Sequence, residues 1–282
     1  MYILETISGP VFFAAAMLIT ILFATLAFWT IAFIEKYNLT HQLVRNGNPA
    51  LAIRYVFFAL AIAWSILGTL DASNFSLNAL SSITGFTKYL FLTTGLVWLS
   101  RYVTDWGILY GFDNNKEVVG KQNAAIAIVE ASTYLGTAFV ISNAFAGWED
   151  NPFLSIVWFI IGQAVFVCLA LIYRCFVRNV FKELDGHNTA CGLSLGGFLL
   201  SGGIVAGAVI SGPPHGWTQD LVTVVVYVST WFVLMLGGYF VADLFILQSV
   251  RLRDEVIKKR NVGAGLIEAA VFLIITYGYT RS

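Results

Sequence analysis

Eight apolar stretches follow one another along this chain, each bounded by short polar segments. A bilayer core of about 30 Å needs roughly 20 apolar residues per helix. The stretches that meet this length are Pro10–Ile34, Pro49–Leu70, Phe86–Leu109, Asn123–Phe145, Pro152–Cys175, Thr189–Ser211, Leu221–Leu247 and Val262–Tyr279. They predict an all-α polytopic membrane protein with eight transmembrane helices. MYILETISGP lacks the basic segment of a cleavable signal, so the first stretch reads as a retained helix with Pro10 in its first turn. Asp71–Gly85, with Ser, Asn and spaced Leu and Ile, reads as a short helix lying in the interface.

Charge orients these helices. Of the 16 Lys and Arg, 14 fall in or beside the segments after stretches one, three, five and seven, from Lys36 and Arg45 to Lys258, Lys259 and Arg260. The opposite side has Lys88 and Arg281 among Glu5, Asp71, Glu149, Asp150 and Asp220. The positive-inside rule puts the basic loops in the cytoplasm and both termini outside. Trp148 and Trp217, at the outer helix ends, suit either an interfacial belt or the core.

A repeat organises the chain further. Arg101–Ala131 and Tyr239–Ala269 align without a gap, with 10 of 31 positions identical, against two or three expected from roughly average composition. Asp105 falls on Asp243, Glu117 on Glu255, Asn123 on Asn261 and Glu130 on Glu268. A shorter repeat lies inside it: Asn48, Asn123, Asn188 and Asn261 each open an apolar stretch rich in small residues. Asn is a good helix N-cap because its side chain accepts from a first-turn N–H. The reading is two parallel tandem four-helix repeats, 1–146 and 147–282, related by an axis along the membrane normal.

Composition narrows the function classes. The chain is 58% hydrophobic and 11% charged, with mean hydropathy +0.79, where a soluble domain carries about 25% charged residues. Net charge is zero, which removes the basic excess expected of a nucleic-acid binder. Cys168, Cys175 and Cys191 have no CxxC spacing, and His41, His187 and His215 lie in connecting segments, so no metal site or other cofactor is expected. No nucleophile elbow or phosphate loop is present, and the expected role is non-enzymatic.

Four acids in membrane-grade sequence carry the candidate chemistry. Glu130 and Glu268 stand seven residues after their asparagines, about 10 Å along the helix. Asp105 and Asp243 lie near the cytoplasmic ends of the preceding helices. Intramembrane carboxylates are costly and mark ion or proton sites unless they are neutralised. In the first half Arg101, four residues before Asp105, shares its helix face, and Arg54 is close to the depth of Glu130. The second half has Tyr239 and Ser194 at those places. Arg174 and Arg178 remain as partners for Asp243 and Glu268, at doubtful reach. Asp243 with Glu268 is therefore the favoured working pair. Gly192, Gly196, Gly203 and Gly207 in the sixth stretch form two small-xxx-small pairs, which favour close helix contact over a pathway lining.

Glu117-Val118 with Asn123-Ala124-Ala125-Ile126-Ala127-Ile128, echoed by Glu255-Val256 with Asn261-Val262-Gly263-Ala264-Gly265, resembles the YjfL-type bacterial inner-membrane family, a family of unknown function (domain of unknown function 350), in duplicated form. The resemblance implies a bacterial cytoplasmic-membrane location and association with a membrane-stress module of the phage-shock type. It supplies no catalytic residues. The expected partners are the lipid bilayer, a cytoplasmic membrane-stress protein and further copies of the chain. Two functions compete: a channel- or transporter-like protein moving a small cation or protons past the intramembrane carboxylates, and a scaffold recruiting cytoplasmic partners through basic loops such as Arg251–Arg260.

Overall fold

The computed structural model describes residues 2–72, 79–147, 152–177, 179–211, 215–245 and 250–281. They form α1 (Tyr2–Ile34), α2 (Pro49–Ala72), α3 (Ala79–Val103), α4 (Ala124–Gly147), α5 (Pro152–Phe176), the short α6 (Val180–Asp185), α7 (Thr189–Ile210), α8 (Trp217–Phe245), the short α9 (Leu252–Ile257) and α10 (Val262–Arg281). Three π-helical turns complete them: π1 (His41–Arg45), π2 (Thr104–Ile108) and π3 (Lys116–Gly120). No strand occurs among the described residues.

Seven of the eight long helices are long and apolar enough to cross a membrane. The departure is α3, where Lys88, Arg101 and several Ser and Thr dilute the apolar run. Ala79–Gly85 forms the first turns of α3 rather than a separate interfacial helix, and Pro10 lies well inside α1 rather than at its start. Trp148 is outside the described residues. Trp217 stacks on Trp158 with ring centroids 6.1 Å apart.

The four asparagine-opened helices stand side by side in the order α2, α4, α7, α10, and the interface between α4 and α7 is the most extensive. Each remaining long helix flanks this row: α3 lies against α2 and α4, α5 against α4 and α7, and α8 against α7 and α10, while α1 packs on α2 and α3. The fold is thus a row of four helical hairpins. Glycine makes the row tight. A Cβ on Gly203 would fall 2.4 Å from the Gly136 Cα, and one on Gly192 would fall 2.6 Å from the Ala125 carbonyl oxygen. On the other side of α7, Gly265 of α10 meets Ala190, and Gly197 meets Ala269. These contacts advance in step along both helices of each pair, so the helices of the row run parallel. Backbone contact of this kind gives dispersion where lipid removes any hydrophobic drive between helices.

The outer helices leave apolar side chains uncovered, such as Phe33 at 84% and Phe240 at 70% exposure. Lipid covers such a surface; in water it would be an aggregation hazard.

Candidate functional site

The four loops that precede the row share one construction. The residue before each asparagine has a left-handed backbone: Gly47 at φ 56°, Gln122 at 54°, His187 at 59° and Arg260 at 53°. This turn reverses the chain into the helix, and glycine is the residue that adopts it without strain. Each asparagine then caps its helix. The side-chain oxygen accepts from Leu51 N–H at 3.0 Å for Asn48, Ala125 at 3.1 Å for Asn123, Cys191 at 3.1 Å for Asn188 and Ala264 at 3.3 Å for Asn261. The amide of the last three also donates to a glutamate of its own loop: Glu117 at 3.1 Å, Glu183 at 3.1 Å and Glu255 at 3.2 Å. Glu117 and Glu255, aligned by the sequence repeat, therefore orient the caps. The Lys259 ammonium, 2.6 Å from Glu255, holds that carboxyl below the usual carboxylate range.

About two turns deeper, the first half holds a neutral quartet. Arg54 donates through Nε and Nη2 to the two oxygens of Glu130, each bond 2.7 Å long. Its Nη1 lies 3.9 Å from Glu35, and Glu35 forms an ion pair with Arg101. The sequence had assigned Arg101 to Asp105 on i,i+4 spacing. The π2 turn begins between them and widens the helix, so that spacing no longer aligns the two side chains. Asp105 instead accepts from the Asn114 side-chain amide, and the Asn114 backbone carbonyl accepts a further bond from Arg54 at 2.9 Å. The gap left beside Phe58, Arg101 and Tyr134 is about 10 Å³, room for roughly one water.

The second half keeps the acid and loses the arginines. Glu268 is buried at the repeat position of Glu130, while Ser194, Tyr239 and Phe272 stand where the first half has Arg54, Arg101 and Tyr134. The Ser194 hydroxyl bonds Tyr173. A cavity of about 170 Å³ opens there, lined by Tyr173, Phe198, Phe232, Tyr239, Arg253, Glu268 and neighbouring apolar side chains. Asp243 accepts from the Leu252 N–H at 2.6 Å and so ties α8 to α9. Arg174, considered above as a partner for these acids, turns away from them. Its guanidinium lies over the rings of Tyr110 and Phe181, 4.7 and 3.9 Å from their centroids, and it bonds the Tyr110 hydroxyl. Stacking on aromatic faces holds a guanidinium well in a half-buried position.

Glu35, Asn114 and Arg253 were not singled out as parts of these sites by the sequence. Glu35 and Arg253 sit among charged loop-edge residues, where nothing in the pattern separates a buried charge from a solvated one. Among the described residues, no cluster of three His, Cys, Asp or Glu could hold a metal ion.

Comparison with known proteins agrees with this architecture. The chain is 26% identical over 250 residues to a UPF0719 transmembrane protein of Aquifex aeolicus (strain VF5), an alignment covering 86% of this chain and 89% of that protein. No solved structure matches it. The profile of a family described as Domain of Unknown Function (DUF350) matches residues 3–145, 77–181 and 150–278, three registers that begin one hairpin apart. With a relative described as transmembrane and seven helices fit to cross a bilayer, this multi-pass membrane protein belongs to the DUF350 family, in a duplicated form.

Proposed function

We propose that this protein is a channel- or transporter-like membrane protein that handles protons or a small cation at Glu268, with the first half as its rigid frame. One contrast carries the reading. Two glutamates occupy the same place in the repeat, yet Glu130 is clasped by Arg54 beside a gap of about 10 Å³ and Glu268 faces a cavity of about 170 Å³. A desolvated carboxyl with no guanidinium bonded to it takes up a proton or binds a cation. Asp243 is the next carboxyl toward the loops, where it accepts from the Leu252 N–H. The mainly aromatic and aliphatic lining favours a single binding step over a wide aqueous pore.

In this reading α3 also spans the bilayer, giving eight spans in two four-helix halves, 1–146 and 147–282. The basic loops face the cytoplasm of a bacterial cell, and both termini lie outside the cytoplasmic membrane. Purified protein in liposomes tests the site. Proton or monovalent-cation flux is expected from the wild type and from folded Glu130→Gln, and is lost in Glu268→Gln. Wild-type flux in Glu268→Gln, or none in the wild type, would sink the idea.

A second reading draws on another observation: Arg251, Arg253, Lys258, Lys259 and Arg260 are all exposed around α9. Such a basic face suits a scaffold that recruits a cytoplasmic membrane-stress protein. Absence of flux together with retained binding of a cytoplasmic partner would favour it.

A further inference from the structure

A bond on the loop side is made three times and stops at the fourth. The Asn48 amide donates to the Val118 carbonyl at 2.9 Å, Asn123 to Leu184 at 2.8 Å, and Asn188 to Val256 at 3.0 Å. Each bond clamps one hairpin to the next. Asn261 caps α10 and bonds Glu255, and among the described residues its amide meets no carbonyl of a further hairpin. Asn261 is exposed, whereas Asn48, Asn123 and Asn188 are buried.

The helix faces break off at the same place. Toward α7, α4 presents Ala125, Ser132, Gly136 and the backbone of Phe139 to Gly192, Gly196, Gly203 and Gly207. Counted from the capping asparagine, the same positions of α10 are Gly263, Ala270, Ile274 and Tyr277. All four are exposed, Ile274 at 70% and Tyr277 at 66%. A Cβ on Gly263 would come near nothing but its own Asn261 side chain. At the other end of the row, α2 carries Ala52, Val56 and Ala63 where α7 has Gly192, Gly196 and Gly203. Val56 is 54% exposed, and Ala52 and Ala63 are half-buried.

We propose that a second copy of this chain docks head to tail, its α1–α2 hairpin taking the next place in the row against α10. The two open faces are the two sides of a junction the chain already makes three times, so they fit each other. Lipid tails satisfy Ile274 but gain nothing from the small Gly263 and Ala270, which suit close helix approach. The family profile fits in registers one hairpin apart, including the one that straddles the middle of the chain, so the junction is renewed by the same sequence pattern at each step. Such an interface is heterologous: it closes into a ring if the rotation allows and otherwise grows as an open row. The inference stands apart from the reading of Glu268.

Cross-linking in membranes tests it, in a Cys168→Ser/Cys175→Ser background because both native cysteines are exposed. Gly263→Cys and Ala52→Cys lie within disulfide reach if copies dock as the hairpins do. Covalent dimers and higher species are expected when one chain carries both substitutions, and dimers alone when the two single variants are mixed. Cross-linking of Gly263→Cys by itself, which requires a symmetric back-to-back pair, would overturn the proposal. Should the double variant misfold, single-molecule photobleaching of the otherwise native chain decides. More than one copy per particle is expected, falling to one in Ala270→Trp. A single copy in the wild type, or an unchanged number in Ala270→Trp, would overturn it equally.

Discussion

Three side-chain-bearing residues, Gln122, His187 and Arg260, hold a left-handed backbone that the first loop gives to Gly47. For an L residue this conformation costs roughly 1–2 kcal/mol, partly offset in glycine by the greater freedom of its unfolded chain. Gln122→Gly is therefore expected to raise stability by about 0.5–1 kcal/mol, and Gly47→Ala, which meets nothing within 4 Å, to lower it by about 1 kcal/mol from backbone strain alone. Denaturation in detergent measures both, and a stabilised Gly47→Ala would refute the account. The capping asparagines were legible because an N-cap is a local feature with its own residue preference. Depth counted from Asn48 also brought Arg54 level with Glu130. The partner of Arg101 was not legible: Glu35 comes from the turn after α1, and a π turn undoes the spacing that pointed to Asp105.

Hydrophobic length made the helices readable as elements, since a bilayer selects on a sum over about 20 residues. That sum fails for α3, whose Lys88 and Arg101 lower the average although the helix forms. The glycines of α7 mark another boundary of legibility. Their spacing announces close contact but does not say with which neighbour, and the structure divides them between α4, α10 and α5. Gly203→Ala would drive a methyl group to 2.4 Å from the Gly136 Cα, an overpacking expected to cost about 1–3 kcal/mol. Gly237→Ala on α8 meets open space and is expected to leave stability unchanged or slightly higher. Thermal unfolding in nanodiscs checks the pair; equal effects would remove the argument from close backbone contact.

Across the whole molecule, charge asymmetry predicts which side of the bilayer each loop occupies. Lys258, exposed beside α9, gives the test. In the same Cys168→Ser/Cys175→Ser background, Lys258→Cys is expected to resist an impermeant maleimide added to intact spheroplasts and to react in inverted vesicles. Labelling from outside would reverse the orientation. The order of the row could not be read from the chain, because helix neighbours are set by contacts between repeats rather than within them.

That row also has a direction in time. Every clamp runs forward, from an asparagine to a carbonyl some 61 to 70 residues later. A chain made from its N terminus therefore cannot complete a hairpin's clamp until the next hairpin has been synthesised. At each stage of synthesis the nascent protein ends in the same unfinished surface, the one that the exposed Asn261 and Gly263 present. Growth by translation and growth by docking of finished chains become the same step, taken first with a peptide bond and then without one.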